Sequence, residues 1–325
     1  MKLTYRFLCA VNILYLTYLI SIFFTKTPKE TSLPVLTENV RPTTQVREIA
    51  TGLDFTSIKK SKYYMNVPHR ILPKHFCRQR SILLVMVHSQ PANKLARASI
   101  RRSWGSSENR QKNNVSMFFL LGYTPNSHLQ EYVAGESAQF GDIIQVNFTD
   151  CFRNATLKSL MMLKLANLHC KDSVQYLLKV EDDVLVNLRN IVEMLGRDHY
   201  AQLLIGRLLF RKTPVRDPGS VWYVPDNFYP GKVYPNYLES FAYLMSMEVA
   251  RKLYEVALEQ VMFHIEDVFI TGILAKEAKI SPQHSALFLG GGNKHLMSKC
   301  IKHYFVFTGM SASQMISQDF FLSRC

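Results

Sequence analysis

Four short apolar runs constrain the fold more than anything else in this chain: SILLVMVHS (81–89), VSMFFLLGY (115–123), DIIQVNF (142–148) and YLLKVEDDVLV (176–186). Runs that barely alternate suit strands buried on both faces, as in a parallel sheet. Stretches with helical spacing separate them. LARASIRRSWG ends at a glycine stop, LQEYVAGESAQFG (129–141) follows the second run, and TLKSLMMLKLANLHC places Leu157, Leu160, Met161, Leu165 and Leu168 on one face. The alternation predicts an α/β fold, a sheet with helices on both faces. Farther on, ESFAYLMSMEVARKLYEVALEQV passes from strand to helix. IEDVFITGILAKEA predicts an acid-led helix with Phe269, Ile273 and Leu274 on one face. Between them, WYVPDNFYPGKVYPNY (222–237) is too polar and proline-rich for a core strand and reads as a loop presenting ring faces. No internal repeat is found.

The part before Ser81 has another texture. Residues 1–6 form a short basic tail. The uncharged run 7–24, eighteen residues, would rise about 27 Å as a helix, close to the thickness of a bilayer core. It predicts a single transmembrane signal anchor. A cleaved signal peptide is the competing reading, but no small-x-small site follows Phe24. Residues 25–80 carry five prolines and little periodicity, so they are expected to be a lumenal stem, leaving 81–325 as the catalytic unit. Eleven Lys/Arg against four Asp/Glu in that stem supply half of the net charge of +14. With no zinc-finger spacing or basic heptads, the charge gives no nucleic-acid partner. Sequons at Asn114, Asn147 and Asn154 agree with export as glycosylation sites. Of six cysteines, Cys9 lies in the apolar run; Cys77, Cys151, Cys170, Cys300 and Cys325 remain for disulfides whose pairing the sequence does not give.

Ligands of open α/β sheets bind at the carboxyl ends of strands. Glu181, Asp182 and Asp183 stand at such an end. Two acids one residue apart can reach the same hard cation, although a solvated turn or an acid cluster paired with Lys or Arg has the same spacing. Glu266 and Asp267 open a helix: either they cap it, or Asp267 is a general base in a partly buried site. Arg97 and Arg101, four apart, share a helical face that suits a diphosphate or, equally, surface acids. Trp104 can stack on a ring or fill core. Trp222, Tyr223, Tyr229, Tyr234 and Tyr237 can face a sugar or cap the core. His88, His264 and His303 show no metal-ligand spacing and read as structural or surface residues.

In order along the chain, these motifs resemble the β-1,3-glycosyltransferases, the group containing the β-1,3-galactosyltransferases (glycosyltransferase family 31 type). RASIRRSWG is similar to R-x-A-I-R-x-T-W-G, and RNATLKSLMMLKL to the R-N-L-T-L-K-T segment before the acid motif. YLLKVEDDVLVN is similar to D-D-D-V-F-V-N or E-D-D-V. WYVPDNFYPGKVYPNY…SFAYLMS is similar to W-Y-V…Y-P-G…Y-P-P-Y…G-x-G-Y-x-x-S, and IEDVFITGIL to E-D-V-(Y/F)-x-x-G. The match runs from about residue 80 to 315. It implies a GT-A-like mixed sheet flanked by helices in a type II Golgi membrane protein. It also implies an inverting, Mn²⁺-dependent enzyme that moves a hexose from a UDP-sugar, UDP-galactose first, to a glycan on a glycoprotein or glycolipid. N-acetylglucosamine or N-acetylgalactosamine transfer is the alternative within the family, and a non-catalytic chaperone or lectin-like role the alternative outside it. Carried over by position, Asp183 and Glu181 hold the metal, and Asp182 and Glu266 belong to the substrate site. Asp267 is the catalytic base. Arg97, Arg101 and Trp104 shape the donor pocket, and Trp222, Tyr223, Tyr234 and Tyr237 line the donor–acceptor cleft. Three places depart from the family. Ser240 and Ala242 replace its G-x-G glycines, and Ser103 replaces threonine. Thr308 and Ala312 stand where it has a histidine and a proline, so the resemblance supplies no metal ligand on that side.

Overall fold

The structure, a computed structural model, describes residues 59–290 and 302–317. The tail 1–6 and the apolar run 7–24 lie outside these residues. Among those described, no helix is long and apolar enough to cross a membrane.

The chain enters through a short helix α1 (Ser61–Tyr64) and strand β1 (His69–Ile71). It continues through β2 (Ser81–His88), α2 (Lys94–Arg101), α3 (Ser107–Lys112), β3 (Val115–Tyr123), α4 (Ser127–Phe140) and β4 (Ile143–Thr149). Then come α5 (Ala155–His169), β5 (Val174–Glu181), β6 (Val184–Val186), α6 (Leu188–Leu195) and β7 (Leu204–Leu209). After a long loop follow β8 (Tyr237–Ser246), α7 (Met247–Glu259), α8 (Leu274–Glu277), β9 (Gln283–His284), β10 (Phe288–Leu289), β11 (Val306–Thr308) and α9 (Ala312–Ile316).

Eight strands make one sheet in the order β1-β4-β3-β2-β5-β8-β7-β9, and β10-β11-β6 make a small second sheet. The β4-β3-β2-β5 stretch is parallel, whereas β8 runs antiparallel to β5 and β7, so the sheet is mixed. The four apolar runs do become its central strands, with Leu83–Val87 fully buried. From β2 the chain moves outward through β3 and β4, then returns to place β5 on the other side of β2. That reversal opens a crevice at the carboxyl ends of β2 and β5.

Three local expectations change. Helix α5 is buried nearly all round, because Met162, Leu163 and Ala166 are as enclosed as Leu160 and Met161; it lies between the sheet and α7. Leu168, assigned to the apolar face, is instead 57% exposed in the last turn. The acid-led helix at Glu266 begins as a π-helical turn, Val268–Ile273, before α8. There Phe269 and Leu274, five apart, are both fully buried, and Ile273 is half-buried. Finally, the fold begins before Ser81, so the end of the expected stem is part of the folded unit. β1 pairs antiparallel with β4, Lys60 bridges to Val261, and Cys77 is disulfide-bonded to Cys170. Cys151 is a free, exposed thiol.

Candidate active site

At the crevice between β2 and β5 lies a cleft of about 460 Å³. It collects residues far apart in the chain: Glu181–Asp183, Glu266 and Asp267, Trp222 and Thr308. Both acid clusters singled out in the sequence therefore face one cavity.

The three consecutive acids have three environments. Glu181, the last residue of β5, is ion-paired with Lys179, whose ammonium also donates to the Ser240 carbonyl. Asp182 accepts hydrogen bonds from Ser89 Oγ at 2.6 Å and Asn93 Nδ2 at 2.9 Å. Burial raises its pKa against those two bonds. Asp183 reaches solvent. Its backbone carbonyl accepts from Met310 N at 2.9 Å, and its carboxylate lies 3.5 Å from Thr308 Oγ1. Desolvation, then the charges of Glu181 and Asp182, raise its pKa. Thr308 thus sits beside the acid motif, where the resembling family places a histidine.

Glu266 and Asp267 also differ. Glu266 is buried; its Oε1 accepts from Ser159 Oγ at 2.5 Å and Tyr243 Oη at 2.8 Å, while Oε2 has no partner. Asp267 caps the π-helical turn through Oδ1, which accepts from Val268 N at 2.8 Å. Burial, then the Glu266 charge, push its pKa up to about 7, against the pull of Lys179. Capping and base-like character are thus combined in one side chain. Lys179 is 1% exposed and lies over the Tyr243 ring at 5.6 Å, between the two acid clusters. Burial works against its charge, but Glu181, Glu266 and Asp267 hold its pKa raised.

The arginines are placed differently from the expectation. Arg97 is fully buried, with Nε and Nη2 bonded to Glu136 at 2.9 and 2.7 Å. Its Nη1 and Nη2 also bond Ser89 Oγ, the Gln90 carbonyl and the Pro91 carbonyl. Arg101 forms a two-bond pair with Asp142 and bonds Glu136, with its guanidinium against Phe119 and Phe140. Neither lines the cleft, and their donors are committed to carboxylates, so neither offers a free charge to a diphosphate. Arg97 instead fixes the Ser89–Pro91 turn from behind, and Ser89 in turn holds Asp182. Trp104 is 1% exposed in the core and also stands outside the cleft.

Of the aromatic loop, only Trp222 lines the cleft; it is 53% exposed and meets Phe152 edge-to-face at 6.2 Å. Tyr223 contributes its carbonyl, bonded to His264 Nε2 at 2.9 Å. Tyr234 and Tyr237 are buried in a cluster with Tyr229 and Phe263, behind the π-helical turn rather than in the cleft. Gly272 belongs to that packing, since a Cβ there would come within 3.1 Å of Tyr237 Cβ. Of the sequons, Asn114 and Asn147 are exposed. Asn154 is half-buried beside the cleft, its Nδ2 donating to the Thr149 carbonyl at 2.7 Å.

Sequence reasoning missed Ser89, Asn93, Asp150, Lys158 and Lys179. Lys158 donates to the Ser89 carbonyl at 2.8 Å and to both oxygens of Asp150 at 2.9 Å, tying the ends of β2 and β4 together. The strand-end rule that found the acid triplet also points to Ser89 and Asp150. Nothing local marks Lys158 or Lys179. Among the described residues no group of three or more His, Cys, Asp or Glu is arranged to hold a metal by itself.

Residues 95–286 match the family described as Galactosyltransferase. Beta-1,3-galactosyltransferase 9 of Homo sapiens is 34% identical over 251 residues, 76% of this chain and 66% of that protein. The chain thus spans just under two thirds of that relative's length. Lactosylceramide 1,3-N-acetyl-beta-D-glucosaminyltransferase of Rattus norvegicus is 32% identical over 279 residues, 82% of this chain and 71% of that protein. Among solved structures, the galactosyltransferase LgtC with donor and acceptor sugar analogues overlaps 66% of this chain and 78% of its own, at TM-score 0.36 and 12% identity, too remote to bear on the site. With the family match covering more than half of its length, the chain belongs to the Galactosyltransferase family.

Proposed function

We propose that this protein is an inverting, GT-A-like glycosyltransferase that moves a hexose, galactose first, from a UDP-sugar to a glycan hydroxyl in β-1,3 linkage. The observation that carries this reading is the meeting of Asp267 and the Glu181–Asp183 triplet in one cleft at the strand ends. One cluster suits a cation–diphosphate, the other a proton acceptor.

The donor set fits a hard divalent ion such as Mn²⁺: carboxylate oxygens only, with Asp183 facing solvent and Glu181 keeping one oxygen outside its Lys179 pair. Such ions bind through one or two carboxylates plus substrate phosphates, so Asp183 and Glu181 suffice as the protein's share. When bound, the ion supplies Lewis-acid stabilisation of the departing diphosphate. Asp267 accepts the acceptor hydroxyl's proton as that oxygen attacks the anomeric carbon from the face opposite UDP. A pKa of about 7 suits proton transfer near neutral pH. Glu266, held by Ser159 and Tyr243, fixes the turn that carries the base and raises its affinity for the proton. Trp222 offers an exposed ring to the apolar face of a sugar.

Transfer of N-acetylglucosamine is the second reading, favoured by the relative named for it. Ser240 lines the cleft and is bulkier than the family's glycine, so donor choice turns on that wall. The apolar run 7–24, the exposed sequons and the Cys77–Cys170 disulfide support a single-pass type II protein with its catalytic unit in the Golgi lumen.

The test is a donor screen with the detergent-solubilised full chain, with Mn²⁺ or with EDTA. Mn²⁺-dependent turnover of UDP-galactose, lost in EDTA, is the expected result. Turnover of UDP-N-acetylglucosamine alone moves the assignment to the second reading. No turnover of any UDP-sugar, with binding retained, points to a chaperone or lectin-like protein and ends the enzyme reading.

A further inference from the structure

His88 is the last residue of β2, paired with Leu120 of β3 on one side and Glu181 of β5 on the other. It is 3% exposed, forms part of the cleft wall, and its Nε2 has no hydrogen-bond partner among the described residues. Its polar neighbours are satisfied: Ser89 and Asn93 by Asp182, and Lys158 by Asp150 and the Ser89 carbonyl. The preceding positions of β2 are Met86 and Val87, both fully buried. A purely structural residue here would be apolar as they are, because a buried nitrogen left unpaired opposes folding. A polar ring facing the cleft is explained by a partner that arrives with the substrate.

We propose that His88 binds the nucleoside of the donor through one hydrogen bond from its imidazole to a neutral group, either the edge of the uracil base or a ribose hydroxyl. The proposal rests on the nucleotide-sugar reading above. Two lysines, Lys158 and Lys179, already stand beside the ring; burial first, and then their charges, keep its pKa well below the ordinary histidine value. A neutral ring offers one directional bond and no charge, which suits a nucleoside rather than a diphosphate. Asp182, anchored in the same wall by Ser89 and Asn93, places a carboxylate where a sugar hydroxyl is well received.

The experiment measures binding of UDP, CDP and 2′-deoxy-UDP to the full chain in Mn²⁺ by titration calorimetry, for wild type, His88→Phe and His88→Gln. Thermal unfolding of each variant checks the fold, and KM and kcat for the donor are measured alongside. His88→Phe fills the space without the nitrogen, and is expected to weaken UDP about tenfold or more. Donor KM should rise equally and kcat stay within about threefold, with His88→Gln recovering part of the loss. Loss of the preference for UDP over CDP assigns the base edge, and loss of the preference over 2′-deoxy-UDP assigns the ribose. Should His88→Phe fail to fold, His88→Gln is judged on the same ratios. A folded variant that binds UDP as wild type does, or that loses only kcat, overturns the assignment and leaves the nucleotide-sugar reading standing. A wild-type chain that binds no nucleoside diphosphate overturns both.

Discussion

Replacing Asp267 with Asn separates two consequences of one buried carboxylate. An ordinary aspartate titrates near 3.8, and this one near 7, so the folded chain holds a proton that the unfolded chain has released. A group raised in the folded state adds stability at low pH and loses it as pH climbs through the folded value. At about pH 8 ionising Asp267 in place costs about 4 kcal/mol, and at about pH 5 about 2 kcal/mol, at 1.36 kcal/mol per unit. Asn cannot ionise and keeps the Oδ1 cap on Val268 N. Asp267→Asn should therefore gain about 2 kcal/mol on wild type between about pH 5 and pH 8. For a domain of this size that is a widening of the Tm gap by about 4–8 °C. The assay is thermal unfolding in metal-free, donor-free buffer at both pH values, with turnover and UDP binding followed separately. Turnover should fall about 10²–10⁴-fold. UDP binding should stay within about threefold, since Asp267 faces the acceptor. Parallel stability curves for variant and wild type would refute the desolvated carboxylate, and turnover within about tenfold of wild type would refute its role as base.

Three other outcomes follow from the same geometry. Asp183→Ala should abolish the Mn²⁺-dependent part of UDP binding while leaving the fold intact, checked by calorimetry with and without EDTA. Arg97→Met leaves Glu136 as a buried charge supported only by Arg101, and should destabilise by about 3–5 kcal/mol in urea unfolding; a diphosphate ligand would instead lose UDP binding without loss of stability. Cys77→Ser opens a bridge across a sequence separation of 93, and should cost about 2–5 kcal/mol, read as a lower urea midpoint with unchanged UDP affinity.

The sequence by itself determined what depends on neighbours in the chain. Continuous apolar runs can be buried on both faces only in a central sheet, and the strand-end rule put Glu181–Asp183 at a ligand edge. Glu266 and Asp267 stood out because adjacent charges before an apolar turn are visible locally. What only the tertiary structure decided is which charges meet. Arg97 and Arg101 had the spacing of a phosphate clamp, yet Glu136 and Asp142, 35 to 41 residues away, take their donors. Trp104, Tyr234 and Tyr237 were equally suited to a cleft or a core, and burial chose the core. Lys179 and His88 looked like ordinary strand residues until the fold set one between two acid clusters and left the other's nitrogen facing the cleft without a partner. Spacing along a chain fixes which face a side chain shares, but partners and desolvation come from segments that only folding brings together, and in a low-dielectric cleft they decide what a charge can do.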